Sequence, residues 1–192
     1  MKTMLGIMKK RNNDIPENIL SIFEDIVQTY SGNECDNRFM EAMGNHLTKD
    51  QRYKLWEQLG GCQGTGQDKI RKAFALEHAD TPLPLRLELY LNTFVKDHSG
   101  KTRNITLNEE NHTLTITFAC DECFRHTLDG KLTAPFVLYY ESCAGGRMYG
   151  LEKTLGIKLK INSMDIPQLG VSKERPCIYT FDIVKVLYCK FN

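Results

Sequence analysis

The sequence predicts an α+β fold, with N-terminal helices followed by an antiparallel sheet whose packed helices enclose a ligand pocket. Three observations carry this expectation. Residues 15 to 95 repeat apolar side chains at helical spacing. RNITLNEENHTLTITFAC alternates apolar and polar residues about a polar turn. Two further alternating stretches follow a helical segment near the end of the chain. A run of helices and then a run of strands joined without regular βαβ alternation favours antiparallel pairing.

The elements follow in order. In IPENILSIFEDIVQTY, Pro16 suits a first helical turn, and Ile19, Leu20, Ile22, Phe23, Ile26 and Val27 form one apolar face that Ser31-Gly32-Asn33 stops. RFMEAMGNHL reads as a second, short helix. Thr48 with Asp50 and Gln51 starts a third, TKDQRYKLWEQLGG, which carries the only Trp and ends on Gly60 and Gly61. A fourth runs from Gln67 to His78, before the TPLPL break. After LRLELYLNTFVKDHSG the period shortens. Ile105 and Leu107, then Leu114, Ile116 and Phe118, alternate with Thr and Asn around NEEN, which is a hairpin pattern.

KLTAPFVLYYESC is apolar and aromatic after Pro135, compatible with strand or helix. We take it as a helix with an end or kink between Ser142 and Gly146. RMYGLEKTLG is then helical, with Met148, Leu151 and Leu155 on one face and Gly156 at its end. IKLKINSM and CIYTFDIVKVLY alternate again, linked by a loop from Pro167 to Pro176. The division is a helical region, 1–99, and an α+β region, 100–192, expected to fold as one unit. A chain of 192 residues buries a good core without disulfide staples.

Composition narrows the function classes. With 41% hydrophobic and 26% charged residues the chain is ordinary for a soluble globular protein, neither disordered nor fibrous. Its formal charge of +1, from 25 basic and 24 acidic residues, supplies no long-range field toward phosphate polymers or acidic membranes, so neither nucleic acid nor membrane is the expected partner. In MKTMLGIMKKRNND the apolar run Met4 to Met8 meets Lys9, Lys10 and Arg11 at once, too weak for an export signal. A cytoplasmic protein is expected.

Seven cysteines, at 35, 62, 120, 123, 143, 177 and 189, are odd in number and well spread. In a chain expected to be cytoplasmic they argue against a disulfide framework and leave metal binding, reactive thiols or burial. Cys120-x-x-Cys123 follows a strand, and a strand end feeding a tight turn aims two thiolates at one Zn²⁺. Completing a tetrahedral set requires distant ligands, drawn from Cys143, Cys177, Cys62 or His126. A redox pair would need a βαβ context that the hairpin does not provide. Two structural thiols remain the plain alternative. His46, His78, His98 and His112 have no metal spacing.

YYESCAGGRMYGLE is the second constellation. Gly145 and Gly146 permit close backbone approach or positive φ, and a helix starting near Gly146 would turn its unpaired N–H groups toward Cys143 and Arg147, favouring a thiolate or a bound carboxylate. Tyr140, Gly145, Gly146 and Arg147 are therefore ligand-binding candidates. Cys143 is a candidate nucleophile, with Glu141 or Glu152 handling protons. The alternative is a glycine-punctuated helix junction with Arg147 and Glu152 solvated. The glycines lack the spacing of a nucleotide loop. In GGCQGTG, Cys62 sits in a loop suited to cradle an anion or merely to end a helix.

The order of these motifs, Cys120-x-x-Cys123, then Cys143 with glycines and Gly-Leu-Glu in a helix, Leu-Gly before a strand, and Pro176-Cys177 leading into YTFDI, resembles the four-vinyl-reductase-type small-molecule-binding domain and its aminothiazoline-carboxylate-hydrolase-like relatives. The likeness spans residues 100 to 188. It implies an antiparallel sheet and helices around a ligand pocket, with Cys120, Cys123, Cys143 and Cys177 as metal ligands. Arg147 and the long Asp165 to Pro176 loop depart from the pattern.

Three functions are thereby expected, in order. The first is a small-molecule-binding or sensor-like domain with a zinc-binding cysteine cluster. The second is a hydrolase of a small heterocyclic or amide substrate, using metal-activated water or Cys143. The third is an interaction module presenting helices 15 to 95. Zinc is the one cofactor expected, a small molecule the expected partner, and a homodimer is allowed.

Overall fold

Helical spacing in the N-terminal region is realised as α1 (Lys2–Lys10), α2 (Glu17–Thr29), α3 (Gly32–His46), α4 (Lys49–Leu59), α5 (Asp68–Glu77) and α6 (Leu83–Tyr90), the last continuing as a π-helical turn, Leu91–Val95. The computed structural model describes residues 1–10, 14–59, 67–95, 102–119, 131, 133–168, 171–172 and 174–187. Two helical boundaries differ from expectation. Residues 1 to 10, whose sequence speaks only against an export signal, fold as α1, because Leu5 and Met8 share a helix face and are buried. α3 begins at Gly32 rather than Arg38, since buried Cys35 lies one turn before buried Phe39 and lengthens the apolar face. α4 opens with a capping box: the Thr48 hydroxyl accepts the Gln51 N–H at 3.2 Å, and the Gln51 carboxamide oxygen accepts the Thr48 N–H at 2.9 Å.

The strands β1 (Thr102–Asn108), β2 (Thr113–Phe118), β3 (Ile157–Asp165) and β4 (Cys177–Val186) form one antiparallel sheet in the order β1-β2-β4-β3. The fold class is the expected α+β. The period-2 alternation sends Leu114, Ile116 and Phe118, Cys177, Tyr179 and Phe181, and Ile157, Leu159 and Ile161 to one buried face. The opposite face carries Thr113, Thr115, Thr117 and Thr180, with Lys158, Lys160 and Asn162 exposed.

Between Phe136 and Leu155 the chain is one helix, α7. This corrects the expected end or kink at Ser142 to Gly146. α7 lies between the buried sheet face and α4, α5 and α6, so a helix buried on nearly all sides can carry glycines without breaking. A Cβ at Gly145 would stand 2.2 Å from the Trp56 carbonyl oxygen, so glycine is what lets α4 and α7 cross this closely. The helix ends as expected at Gly156, whose φ of 63° and N–H bond to the Glu152 carbonyl make a left-handed C-terminal turn.

Polar side chains hold both ends of α7, a buried arginine at one and a half-buried asparagine at the other. Arg86, fully buried, donates to the Leu155 carbonyl at 2.5 Å, satisfying an acceptor at the α7 C-terminus, and to the Ala79 and Thr81 carbonyls between α5 and α6 at 3.0 and 2.7 Å. At the N-terminal side the Asn37 side-chain oxygen accepts the Thr133 N–H and the Tyr139 hydroxyl, and its amide donates to the Lys131 carbonyl. The outer edge of β3 is covered by side chains. Glu152 of α7 accepts the Leu159 N–H at 2.9 Å, and Glu57 of α4 accepts the Ile161 N–H at 2.7 Å. Burial raises the Glu57 carboxyl above the ordinary glutamate range, partly offset by that backbone hydrogen bond.

Two outcomes follow from this packing. Gly145→Ala should lower stability by about 1–3 kcal/mol or more in urea unfolding, through overpacking against Trp56. Gly6→Ala, where nothing lies within 4 Å of the added carbon, should be neutral or stabilising by up to about 1 kcal/mol. Equal losses at the two sites would refute the close crossing. For Glu57, a folded value above the unfolded one means its favourable contribution is complete below the unfolded value and disappears as pH rises through the folded one. Glu57→Gln should therefore be more stable than wild type at pH 7, with the advantage shrinking as pH falls through the carboxylate range. A constant difference across pH would contradict the assignment.

Candidate functional site

The uninterrupted α7 divides the expected site residues between two faces. Successive helical residues rotate by about 100°, so Glu141 and Cys143 point roughly 200° apart. Tyr140, Cys143 and Arg147 belong to the face that meets β2 and β4. Glu141 and Gly145 belong to the face that meets α4.

On the sheet side, the Tyr179 hydroxyl donates to the Tyr140 carbonyl at 2.8 Å. Burial drives the Tyr179 hydroxyl well above the ordinary tyrosine range. The thiols of Cys143 and Cys177, both beside it, push in the same direction, as does a hydrogen bond with Cys177. Two cysteines far apart in sequence thus meet at one tyrosine, because α7 crosses β4 there. Both are buried, at 4% and 0% exposure, and neither forms a disulfide. Cys177 is the register partner of Phe118. The Phe118 ring lies 5.8 Å from that of Tyr179, and the Arg147 guanidinium sits 5.0 Å over it. Thiols, aromatic rings and one cation therefore share the end of the sheet where β2 stops and β4 begins.

On the opposite face Glu141 is committed elsewhere. Arg52 donates to both its carboxylate oxygens at 2.9 Å, a bidentate pair, and the Trp56 indole N–H adds a third bond at 3.2 Å. Arg52 also donates to the Leu47 carbonyl at 2.9 Å. The hydrogen bond to Glu141 raises the Arg52 pKa from its ordinary value, against the opposing effect of burial. Arg52 and Trp56, four residues apart on α4, were not singled out from the sequence. Helical spacing alone puts them on one face, but nothing local indicated that Glu141 would be their partner.

The remaining expectations divide in three. Glu152 reaches neither Cys143 nor Glu141; it covers the β3 edge and meets Lys158 at 3.3 Å. Glu141, Cys143 and Glu152 are thus not gathered around one reacting atom. Gly145 and Gly146 lie inside the helix, whose backbone N–H groups are used internally, so no helix N-terminus faces Cys143 or Arg147. Tyr140 is fully buried, its ring 6.2 Å from Phe136. Cys62, Cys120, Cys123 and His126 lie outside the described residues. Among the described residues no group of three or more His, Cys, Asp or Glu is placed to hold a metal ion. Clefts of about 410, 410 and 330 Å³ open elsewhere, beside Asp25 and Glu41, beside Tyr53 and Lys160, and beside Leu83 and Ile183. No helix among the described residues is long and apolar enough to cross a membrane.

Comparison of the chain with protein-family models and with curated proteins gives no match.

The Glu141 clamp has a measurable consequence. With side-chain exposures of 15% for Arg52 and 7% for Glu141, Glu141→Ala should cost about 3–5 kcal/mol, most of it from stranding the Arg52 charge. Replacing both residues by Met should recover a large part of that loss. If the double variant is no more stable than Glu141→Ala in denaturant titration, Arg52 is not the stranded charge.

Proposed function

We propose that this protein is a small-molecule-binding or sensor-like domain whose responsive element is a cysteine cluster where α7 meets the β2 and β4 ends. Cys143 and Cys177 supply two thiolates, and Cys120 and Cys123 complete a tetrahedral, zinc-type set. The single observation behind this reading is that Cys143 and Cys177 stand beside the same Tyr179 hydroxyl. Sequence adds the rest. Cys120 is two residues beyond Phe118, whose register partner is Cys177, so the Cys-x-x-Cys pair continues from the strand end that already borders both thiols. The resemblance noted over residues 100 to 188 names the same four cysteines.

Zinc bound there would tie α7 to both central strands and give the domain a metal-dependent stability. The ligand body would meet the aromatic rings at this end of the sheet, in keeping with the mostly apolar lining of small-molecule sites. A Cys143 hydrolase is the weaker alternative. Its proposed proton carriers are engaged by Arg52 and Trp56, and by the β3 edge.

The test is metal content by inductively coupled plasma mass spectrometry on protein purified without chelators. Wild type should carry about one zinc per chain. Cys143→Ser and Cys177→Ser should lose most of it. Cys35→Ser, at another buried thiol, on α3, should retain it. Metal-free wild type, or equal retention in all three variants, would remove the zinc cluster.

A further inference from the structure

Among the described residues, Arg147 is a functional candidate whose charge meets no counter-ion. Its guanidinium lies over the Phe118 ring, its Nε is buried with no hydrogen-bond partner, and among the described residues it forms no ion pair. A partly desolvated cation without a counter-ion is costly, and proteins retain one where something else supplies the negative charge. The neighbouring guanidinium is different. Arg71 pairs with Asp68 at 3.0 Å, and Asp68 also accepts the Tyr149 hydroxyl.

Both arginines act electrostatically on the Tyr90 hydroxyl. Burial raises its pKa, and the two positive charges pull the other way. Tyr90 stacks on Phe94 at 5.3 Å, and Phe94 meets Phe74 edge-on at the same distance. The local inventory is therefore one unspent positive charge, one phenolic hydroxyl able to donate, and several aromatic rings.

We propose that Arg147 anchors the carboxylate of a small aromatic monocarboxylic acid, whose ring packs among Tyr90, Phe94 and Phe118. One unspent charge matches a singly charged carboxylate better than a phosphate, which brings nearly two. The planar guanidinium fits a carboxylate through two parallel N–H bonds, and the aromatic surroundings suit a flat apolar body. This assigns a ligand class to the small-molecule reading above, and rests on that reading without requiring its zinc.

Benzoate and phenylacetate, with benzamide as the uncharged control, are the probes, titrated into the full chain and followed by protein-observed NMR. Wild type should bind the two carboxylates, more weakly as salt rises, and should not bind benzamide. Arg147→Met keeps an apolar stem against Phe118 and should weaken benzoate binding about tenfold or more, as the loss of a charged hydrogen-bond partner predicts. Without ligand its melting temperature should equal or exceed that of wild type, because an uncompensated charge has been removed.

The proposal fails if wild type binds neither carboxylate, if Arg147→Met binds benzoate as wild type does, or if that variant melts lower than wild type, which would make the guanidinium structural. The Cys143→Ser/Cys177→Ser double variant separates the two readings. Benzoate binding that persists in it supports the arginine anchor whatever the metal content. Binding lost there but kept in Arg147→Met would make the thiol cluster the anchor and overturn the proposal.

Discussion

The close crossing of α4 and α7 is the constraint on which the rest of the molecule depends. With only a hydrogen at Gly145, the α7 backbone approaches the Trp56 carbonyl, and one turn earlier Glu141 receives the Arg52 guanidinium and the Trp56 indole. Close approach and polar clamp reinforce each other. The short distance brings three donors onto one carboxylate, and those bonds offset the desolvation that a buried acid would otherwise suffer. With α4 so placed, Glu57, the residue after Trp56, reaches the β3 edge, and α7 is fixed against the sheet on its other side.

That arrangement separates structural chemistry from candidate functional chemistry. The face of α7 toward α4 is closed: its acid and its glycine are both committed. The face toward the sheet holds two thiols around a buried phenol and a guanidinium over an aromatic ring. The same helix thus acts as a packing element on one side and presents Cys143 and Arg147 on the other. A glycine-containing helix inside a protein serves this purpose because its neighbours, rather than its intrinsic propensity, stabilise it.

Local pattern was a good guide wherever one face of an element meets solvent. The β1–β2 hairpin, the alternation in β3 and β4, the capping box at Thr48 and the stop at Gly156 all follow from neighbours a few residues away. It was a poor guide at α7. There burial on nearly every side erases the amphipathic period, and Gly145 and Gly146, which usually mark helix ends, instead mark a helix contact. The amino-terminal helix was missed for a related reason, since Leu5 and Met8 gain their meaning from α2 and α4. The candidate site divides the same way. Cys143, Cys177 and Arg147 could be named as chemistry-bearing residues, whereas the separation of Glu141 from Cys143 follows only from an unbroken helix.

By itself the sequence determined the α+β class and the helix and strand types of most elements, because these depend on periodicity and turn chemistry, and it named the chemistry-bearing candidates from side-chain type. Tertiary structure alone decided that α7 is continuous, that Glu141 faces Arg52 and Trp56, and that Cys143 and Cys177 share Tyr179 while Arg147 lies over Phe118 with no ion pair among the described residues. Each of those outcomes joins groups far apart along the chain, and their meeting is set by how the helices and sheet pack.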